Sequence, residues 1–220
     1  MAIQIQGNSG VVAEVDGTTY RALRVTVRPV DYGVLGSYRI SVITGTMAAG
    51  LAAASEMFQA RWTDATRLAL IWGFTIDGMA GSATAFAAGF AAINFTIARS
   101  WSADGSGGNA ATLTGNNQKL RTSMGTTLMG AIRSSSTGAL TAGTKTLDAQ
   151  PEGQITFSIG TVISTIYMGQ VQLYGNMESG GNPAPIVLAQ NEGVVARATV
   201  PGTGTWQAGF SMAWSEVATY

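Results

Sequence analysis

The sequence contains neither cysteine nor histidine among its 220 residues. Without cysteine, the chain can form no disulfide bond, thiolate nucleophile or cysteine metal site. Without histidine, it lacks the commonest general base and the commonest metal ligand of proteins, and it cannot build a Ser-His-Asp or Cys-His arrangement. We therefore expect a protein that is not an enzyme and that uses no cofactor or metal.

Charge is also scarce. Only 11% of the residues are charged, where soluble domains average about 25%. Twelve basic residues, ten of them Arg, balance twelve acidic ones. The weakly charged surface has two explanations: burial in an assembly, which we favour, or an outer face of Thr, Ser, Asn and Gln that suits β structure. Because net positive charge and interleaved aromatics are both lacking, we expect no nucleic-acid partner.

The clearest pattern lies between Thr205 and Glu216. Its alternate positions carry Trp206, Ala208, Phe210, Met212 and Trp214, which predicts a strand with one face on the core. Val194–Val200 alternates in the same way, and Pro201–Gly204 between the two runs is typical of a turn. These features predict a C-terminal hairpin at the centre of the fold.

Further strand patterns follow one another at hairpin spacing along the chain. The predicted strands are Val11–Val15 and Thr18–Val27 around the turn Asp16-Gly17, then Gly36–Gly45, Arg67–Asp77, Phe90–Trp101, Thr126–Ser134, Leu140–Leu147, Gln154–Ile159, Ile163–Tyr174 and Ile186–Leu188. Met47–Phe58 leans towards a helix, with the alternative of a loop leading into a strand at Glu56–Trp62, and a short helical turn is predicted around Gln118–Met124. The pattern predicts an all-β sandwich or barrel, with little helix.

No shift in composition divides the chain, so residues 1–220 are predicted to form a single domain. Residues 1–28 are predicted to be an N-terminal hairpin or arm that exchanges with neighbouring copies. The N-terminus has neither a basic region nor an apolar one that would indicate a signal peptide. Met79–Ala98 carries no charge, but its small and polar residues, together with a strand-like second half, argue against a membrane span.

Two long loops are the candidate contact regions. Ser102–Gln118 is rich in Gly, Asn and Ser, and Asn176–Pro185 is a second long loop. The predicted interface residues are Asp104, Asn109, Asn116, Asn117, Lys119, Arg121, Asn176 and Asn182. The glycine-rich run Asp104–Asn109 lacks the Lys-Ser/Thr pair of a phosphate-binding loop, which leaves a surface loop as the favoured interpretation. Calcium coordination by the oxygens of this region is a weaker alternative.

Catalysis without histidine would require paired carboxylates. The candidates are Asp64, Asp77, Asp104 and Asp148, and nothing in the sequence brings any two of them together. A carboxylate-based hydrolase is therefore the least favoured of the functional hypotheses.

Several stretches resemble virion structural proteins of tailed bacteriophages. They are Thr46–Gly50, Asn116–Met124, Leu188–Arg197 and the strand that follows Gly204 and ends Trp214-Ser215-Glu216. The resemblance implies a single antiparallel β-sandwich of jelly-roll type with long loops, and no functional residue is transferred with it.

What the resemblance implies for function is a non-enzymatic virion protein. Such a protein would self-assemble and decorate or stabilise the phage particle, as a capsid decoration or cement protein or as a head- or tail-associated component. Its partners would be copies of itself and other virion proteins such as the major capsid protein. We expect it to be in the virion, assembled in the host cytoplasm. The alternative is a receptor- or glycan-binding module on the same scaffold, in which Trp101 or Tyr174 would stack on sugar.

Overall fold

A computed structural model describes residues 35–48, 51, 53–81, 87–159, 167–168, 170–175 and 184–218. The predicted hairpin around Asp16-Gly17, the arm over residues 1–28 and both Asn176 and Asn182 lie outside these residues. So does much of the predicted strand Ile163–Tyr174. The fold below is that of the described part of the chain.

The described residues form strands joined by turns and loops, without a helix. The strands are β1 (Gly36–Ile43), β2 (Ser55–Trp62), β3 (Leu68–Gly81), β4 (Gly89–Ala103), β5 (Asn109–Ala110), β6 (Met129–Ser134), β7 (Thr144–Leu147), β8 (Gly153–Ile159), β9 (Tyr167–Met168), β10 (Val171–Tyr174), β11 (Ile186–Leu188), β12 (Glu192–Thr199) and β13 (Trp206–Val217). Within the same residues, no helix has the length and apolar character needed to cross a membrane.

The strands form two antiparallel sheets. The first sheet has the order β1-β13-β3, and β9, β10 and β11 follow one another along the free edge of β3. The second has the order β5-β6-β2-β12-β4, with β7 and β8 along the free edge of β4. Among the described strands, the first pairs with the last and the second with the last but one, as in a jelly roll. The predicted all-β antiparallel sandwich is confirmed.

The core lies between the two sheets and is filled by alternate side chains of both. Four phenylalanines from β2, β3, β4 and β13 meet at its centre, with the rings of Phe74 and Phe95 stacked at 4.3 Å and those of Phe58 and Phe74 at 5.3 Å. The face of β13 predicted from the sequence is buried at every position, from Trp206 to Trp214. Burial of large aromatic side chains is the main source of stability in such a core.

The predicted C-terminal hairpin is wrong in one respect. β12 pairs with β2 and β4 in the second sheet, whereas β13 pairs with β1 and β3 in the first. Pro201–Gly204 therefore crosses from one sheet to the other. Alternation reveals which face of a strand is buried but not which strand lies beside it, and the inner faces of the two sheets of a sandwich both alternate.

The helix considered over Met47–Phe58 is also wrong, and the alternative of a loop followed by a strand is confirmed. Met47 instead exchanges backbone hydrogen bonds of 2.7 and 3.3 Å with Trp206, and β2 begins at Ser55. Met57, Phe58 and the other apolar side chains of β2 are buried, so tertiary contacts override the weak helix propensity of the alanines. The predicted helical turn at Gln118–Met124 is an irregular turn, closed by a 3.0 Å bond from the Met124 amide to the Arg121 carbonyl.

β3 does not end at Asp77-Gly78 as predicted. It continues to Gly81, because β13 pairs with it on both sides of this point, through Phe210 opposite Ile76 and Gly209 opposite Gly78. Asp77 is left without an opposing residue, so it is the extra residue of a β-bulge.

Candidate interaction surface

The loop between β5 and β6, here called the crossing segment (Ala111–Leu128), joins the two sheets at one side of the sandwich. At its start, β5 pairs with β6 in the second sheet. Further on, the Arg39 amide donates to the Gln118 carbonyl at 2.9 Å, and the Leu120 amide donates to the Ser37 carbonyl at 3.2 Å. The segment thus occupies backbone groups along the outer edge of β1. An occupied sheet edge is protected from uncontrolled pairing with other chains.

Two buried side chains fix the far end of the crossing segment. The Tyr38 hydroxyl donates to the Gly125 carbonyl at 3.0 Å. The Thr127 hydroxyl and the Leu128 amide both donate to Glu216 Oε1, at 2.5 and 3.0 Å. Glu216 is 1% exposed, and burial raises its pKa above the ordinary 4.5, only partly opposed by the bonds from Thr127, Leu128 and Trp214. The carboxyl group therefore ties the segment to β13.

A cleft lies beside the crossing segment, between the end of β1 and the β5–β6 pair. Its lining residues are Val42, Ile43, Asn109, Ala110, Ala111, Ile132, Arg133 and Ser134. Two of the three exposed large apolar side chains of the described chain lie on this side: Ile43 in the lining and Leu120 on the crossing segment, with 71% and 64% of their surface exposed. The third, Phe90, is 74% exposed and lies on β4, beside β8. Exposed apolar side chains on a weakly charged protein are typical of a contact with another protein.

The same side carries positive charge. Its basic residues are Arg133 in the lining of the cleft, Lys119 and Arg121 on the crossing segment, and Arg39, whose backbone pairs with that segment while its side chain lies on the outer face of the first sheet. These four residues are here called the basic edge. None of them forms an ion pair with an acidic residue of the described chain: Lys119 contacts the Asn116 side chain at 3.4 Å and Arg133 donates to the Gly107 carbonyl at 3.3 Å. Among the described residues, the positive charge of this side is therefore not paired with an acidic side chain.

The opposite border of the second sheet carries negative charge. Between β7 and β8, the amides of Asp148 and Glu152 donate to the carbonyls of Ile97 and Phe95 on β4, at 2.9 and 2.8 Å. Arg99 joins Asp148 to Glu192, with nitrogen–oxygen distances of 2.9 and 2.8 Å. These three acidic residues form the acidic edge, and a single guanidinium leaves it with a net negative charge.

The predicted interface residues are distributed unevenly. Asn109, Asn116, Asn117, Lys119 and Arg121 lie on the side of the basic edge. Asp104 lies apart from them on the second sheet, where it pairs with Arg61 at 2.9 Å, and Asn176 and Asn182 lie outside the described residues. Arg39 and Ile43 were not predicted as interface residues, although alternation along β1 places both on the face opposite Tyr38.

The four aspartates considered for catalysis have separate environments in the described chain. Asp64 accepts the Thr66 amide at 2.9 Å, while Asp104 and Asp148 pair with different arginines. Asp77 accepts hydrogen bonds from side chains of three strands and a loop: Ser41, Thr75, Ser211 and Gln170. Burial alone would raise the pKa of Asp77, but these bonds together lower it. Among the described residues, no three acidic side chains are grouped to hold a metal ion.

The predicted role of Trp101 in stacking on sugar is wrong, because its side chain is 1% exposed and its indole N–H donates to the Ala103 carbonyl at 3.0 Å. Tyr174 is partly buried, with its hydroxyl bonded to the Ala184 carbonyl. A different aromatic residue, Trp72, lines a shallow depression on the outer face of the first sheet. Arg39, Thr75 and Gln172 line the same depression around a floor that includes Gly73 and Ala213.

In the comparisons with known proteins, no family model and no curated protein matches this chain.

Proposed function

We propose that this protein is a non-enzymatic structural subunit of a phage particle, and that it self-assembles by placing the basic edge of one copy against the acidic edge of the next. The observation that carries the proposal is that opposite sides of one sandwich bear opposite charge. A contact between two different surfaces is heterologous, and it closes into a ring when the rotation between copies permits. Complementary charge guides such a contact and disfavours wrong ones.

The distribution of the remaining charge supports this proposal. Glu56 and Glu216 are buried, so these two acidic side chains contribute little to the outer surface. In a chain that has few charges, the two edges therefore carry much of the charge that remains on the surface of the described sandwich. The exposed Ile43 and Leu120 add apolar area to the basic side, which a contact between copies would cover.

The place of the protein in a particle rests on the resemblance to virion proteins together with the fold. Jelly rolls are frequent in viral capsids, although a fold by itself does not determine function. Beyond copies of the same chain, the proposed partners are other virion proteins, the major capsid protein first among them. Mass spectrometry of purified particles from a phage that encodes this sequence tests the assignment, and particles that lack the protein would overturn it.

Light scattering at micromolar concentration tests self-assembly. We expect the wild-type chain to have the mass of a defined oligomer, and Ile43→Asp and Leu120→Asp to shift it towards the monomer because each buries a charge in the contact. Ala65→Asp, in the exposed turn between β2 and β3, is the matched control and keeps the wild-type mass. A monomeric wild-type protein would contradict the proposal.

A second candidate function, recognition of a glycan, is favoured by the depression at Trp72. An aromatic side chain beside hydroxyl, amide and guanidinium groups is the combination that binds a sugar ring. A glycan array with the assembled protein tests it, and Trp72→Ala should abolish any hit. An array without hits would dispose of this candidate.

A further inference from the structure

A lysine and a glutamate are buried together on the second sheet. Lys145 of β7 and Glu56 of β2 lie 2.8 Å apart, between Nζ and Oε2, and their side chains are 1% and 8% exposed. Removing two charges from water is costly, and a buried ion pair is often no more stable than an apolar pair of the same size. Stability alone therefore does not explain this pair.

A third polar side chain completes the cluster. Gln59 Nε2 donates to the same Glu56 oxygen at 2.5 Å and to the Thr141 carbonyl at 2.8 Å, and Gln59 is 3% exposed. One carboxylate oxygen thus contacts both a primary amine and a carboxamide. The amine of Lys145 is a nucleophile, the carboxamide carbon of Gln59 is an electrophile, and Glu56 lies between them as a group that can carry protons.

The surroundings hold the three groups in place. The ring centroid of Trp101 is 4.5 Å from Lys145 Nζ. A Cβ atom at Gly105 would lie 2.5 Å from Gln59 Oε1 and 2.1 Å from the Thr141 carbonyl oxygen, so only glycine leaves room for the carboxamide. Reacting groups fixed at close range in a site that excludes water react far faster than free groups in solution.

We propose that Lys145 and Gln59 become joined by an isopeptide bond, with Glu56 as the proton carrier. Glu56 accepts a proton from the Lys145 ammonium group, and the lone pair of Nζ then forms a bond to Gln59 Cδ. Glu56 gives this proton to Nε2 and takes up a second one from Nζ, the Cδ–Nε2 bond breaks with its electron pair on nitrogen, and ammonia leaves and carries the second proton away as ammonium. The net change converts an ammonium group and a primary amide into a secondary amide and an ammonium ion, and it requires no oxidant or further reactant.

The bond would link β2 covalently to β7 across a long stretch of sequence. The bond would join Gln59 of β2 to Lys145 of β7, so the link would close a large loop within the second sheet. Closing a long loop restricts the unfolded chain and makes the folded chain harder to open. This inference does not depend on self-assembly, because all three groups belong to one copy.

The mass of the purified full-length protein tests the proposal directly. We expect it to be lower than the sequence mass by one ammonia molecule, and we expect a proteolytic digest to yield a branched peptide that joins residue 59 to residue 145. Wild-type protein without this branched peptide would overturn the proposal. A loss of water with a link from Lys145 to Glu56 would overturn the assignment of Gln59.

Variants identify the role of each group. Lys145→Arg and Gln59→Met should show no link, since the first lacks a primary amine and the second lacks the carboxamide. Lys119→Arg, which replaces the other lysine of the chain, is the matched control and should keep the link. Glu56→Gln keeps the shape of the side chain but should remove the link. A folded Glu56→Gln variant that still carries the link would overturn the role of Glu56, and the wild-type digest decides the proposal even if a variant fails to fold.

Discussion

The two edges of the sandwich are built differently. At the basic edge, the irregular crossing segment leaves β5, runs along β1 and then enters β6, and it occupies backbone groups of both sheets. At the acidic edge, β7 and β8 follow β4 in succession, and the chain between them presents Asp148 and Glu152. Both edges are shielded from uncontrolled strand pairing, the first by irregular chain and the second by short strands and charge.

The difference shows how one chain can favour a single mode of association. Two basic edges repel each other, as do two acidic edges, whereas a basic edge attracts an acidic one. Association is therefore directed from one side of a copy to the opposite side of the next. The predictions below test this contrast, in order of decreasing expected effect.

Removing the net charge of one edge should have the largest effect. In the double variant Lys119→Glu, Arg121→Glu the two new carboxylates balance Arg39 and Arg133, so the basic edge carries no net charge, and in Glu152→Lys the acidic edge is weakened. Because the attraction is lost and each new carboxylate faces the acidic side chains of the next copy, we expect the double variant to associate about a hundredfold more weakly than the wild type in sedimentation experiments.

An equimolar mixture of the double variant with Glu152→Lys is the control. It should associate more tightly than the double variant alone, since the unaltered basic edge of Glu152→Lys can meet the unaltered acidic edge of the double variant. Wild-type association by the double variant alone would show that the edges are not the contact surfaces.

Loosening the attachment of the crossing segment should have the next largest effect. Thr127→Val removes one of the donors to the buried Glu216. Loss of a partner by a buried polar group costs about 1–3 kcal/mol, so urea unfolding should show a decrease of that size. Thr126→Val, at the exposed neighbouring position, is the matched control and should change stability by less than about 0.5 kcal/mol. Equal losses in the two variants would contradict the anchoring role.

The pH dependence of stability should differ in sign between two carboxyl groups, Glu216 and Asp77, because their pKa values are shifted in opposite directions. The pKa of Glu216 is raised above 4.5 in the folded state, so the carboxyl group keeps its proton to higher pH in the folded than in the unfolded chain. The wild type therefore loses stability as the pH rises from the unfolded-state pKa to the folded-state pKa. Glu216→Gln should therefore gain stability relative to the wild type between about pH 4 and neutral pH. If the stability of Glu216→Gln relative to the wild type instead fell as the pH rose through this window, the raised pKa would be contradicted.

Asp77 should show the opposite sign. Its pKa is lowered below 3.8, so its contribution is present above that value and is lost as the pH falls through the folded-state pKa. Asp77→Asn should be less stable than the wild type at neutral pH, and the difference should shrink in acid. Urea unfolding at several pH values measures both variants, and a difference for Asp77→Asn that stays constant with pH would contradict this account.

Removing the cation of the acidic edge should have the smallest effect on stability. The Arg99 side chain is 48% exposed, and exposed ion pairs contribute about 0–1 kcal/mol. Arg99→Ala should accordingly lower the free energy of unfolding by less than about 1 kcal/mol, with less effect at high salt. A loss above about 3 kcal/mol would show that the pair has a structural role that its exposure does not suggest.

The sequence predicted local features better than long-range ones. Alternation identified the buried face of β13 correctly, because each residue of a strand points to the side opposite its neighbour. It did not reveal that β12 and β13 belong to different sheets, since pairing depends on contacts distant in sequence. Asp77-Gly78 was mistaken for a strand end for the same reason, because the opposing strand that carries β3 past the bulge lies far along the chain.

The candidate surface was predictable only in part. Lys119 and Arg121 are charged residues in a polar loop, so composition pointed to them. Arg133 joins them only through the pairing of β5 with β6, which no local pattern reveals. The cluster of Lys145, Glu56 and Gln59 was missed because Lys145 lies far along the chain from the other two residues, which belong to β2, and because an isolated lysine has no sequence signature.

The most direct test of self-assembly through opposite edges is the mass of the wild-type protein, measured by light scattering at micromolar concentration as salt is raised. Added salt shortens the Debye length from about 10 Å at 0.1 M to about 3 Å at 1 M, which weakens attraction between exposed charges. We expect a defined oligomer at low salt that shifts towards the monomer at high salt. A monomer at every salt concentration, or an oligomer that salt leaves unchanged, would contradict the account.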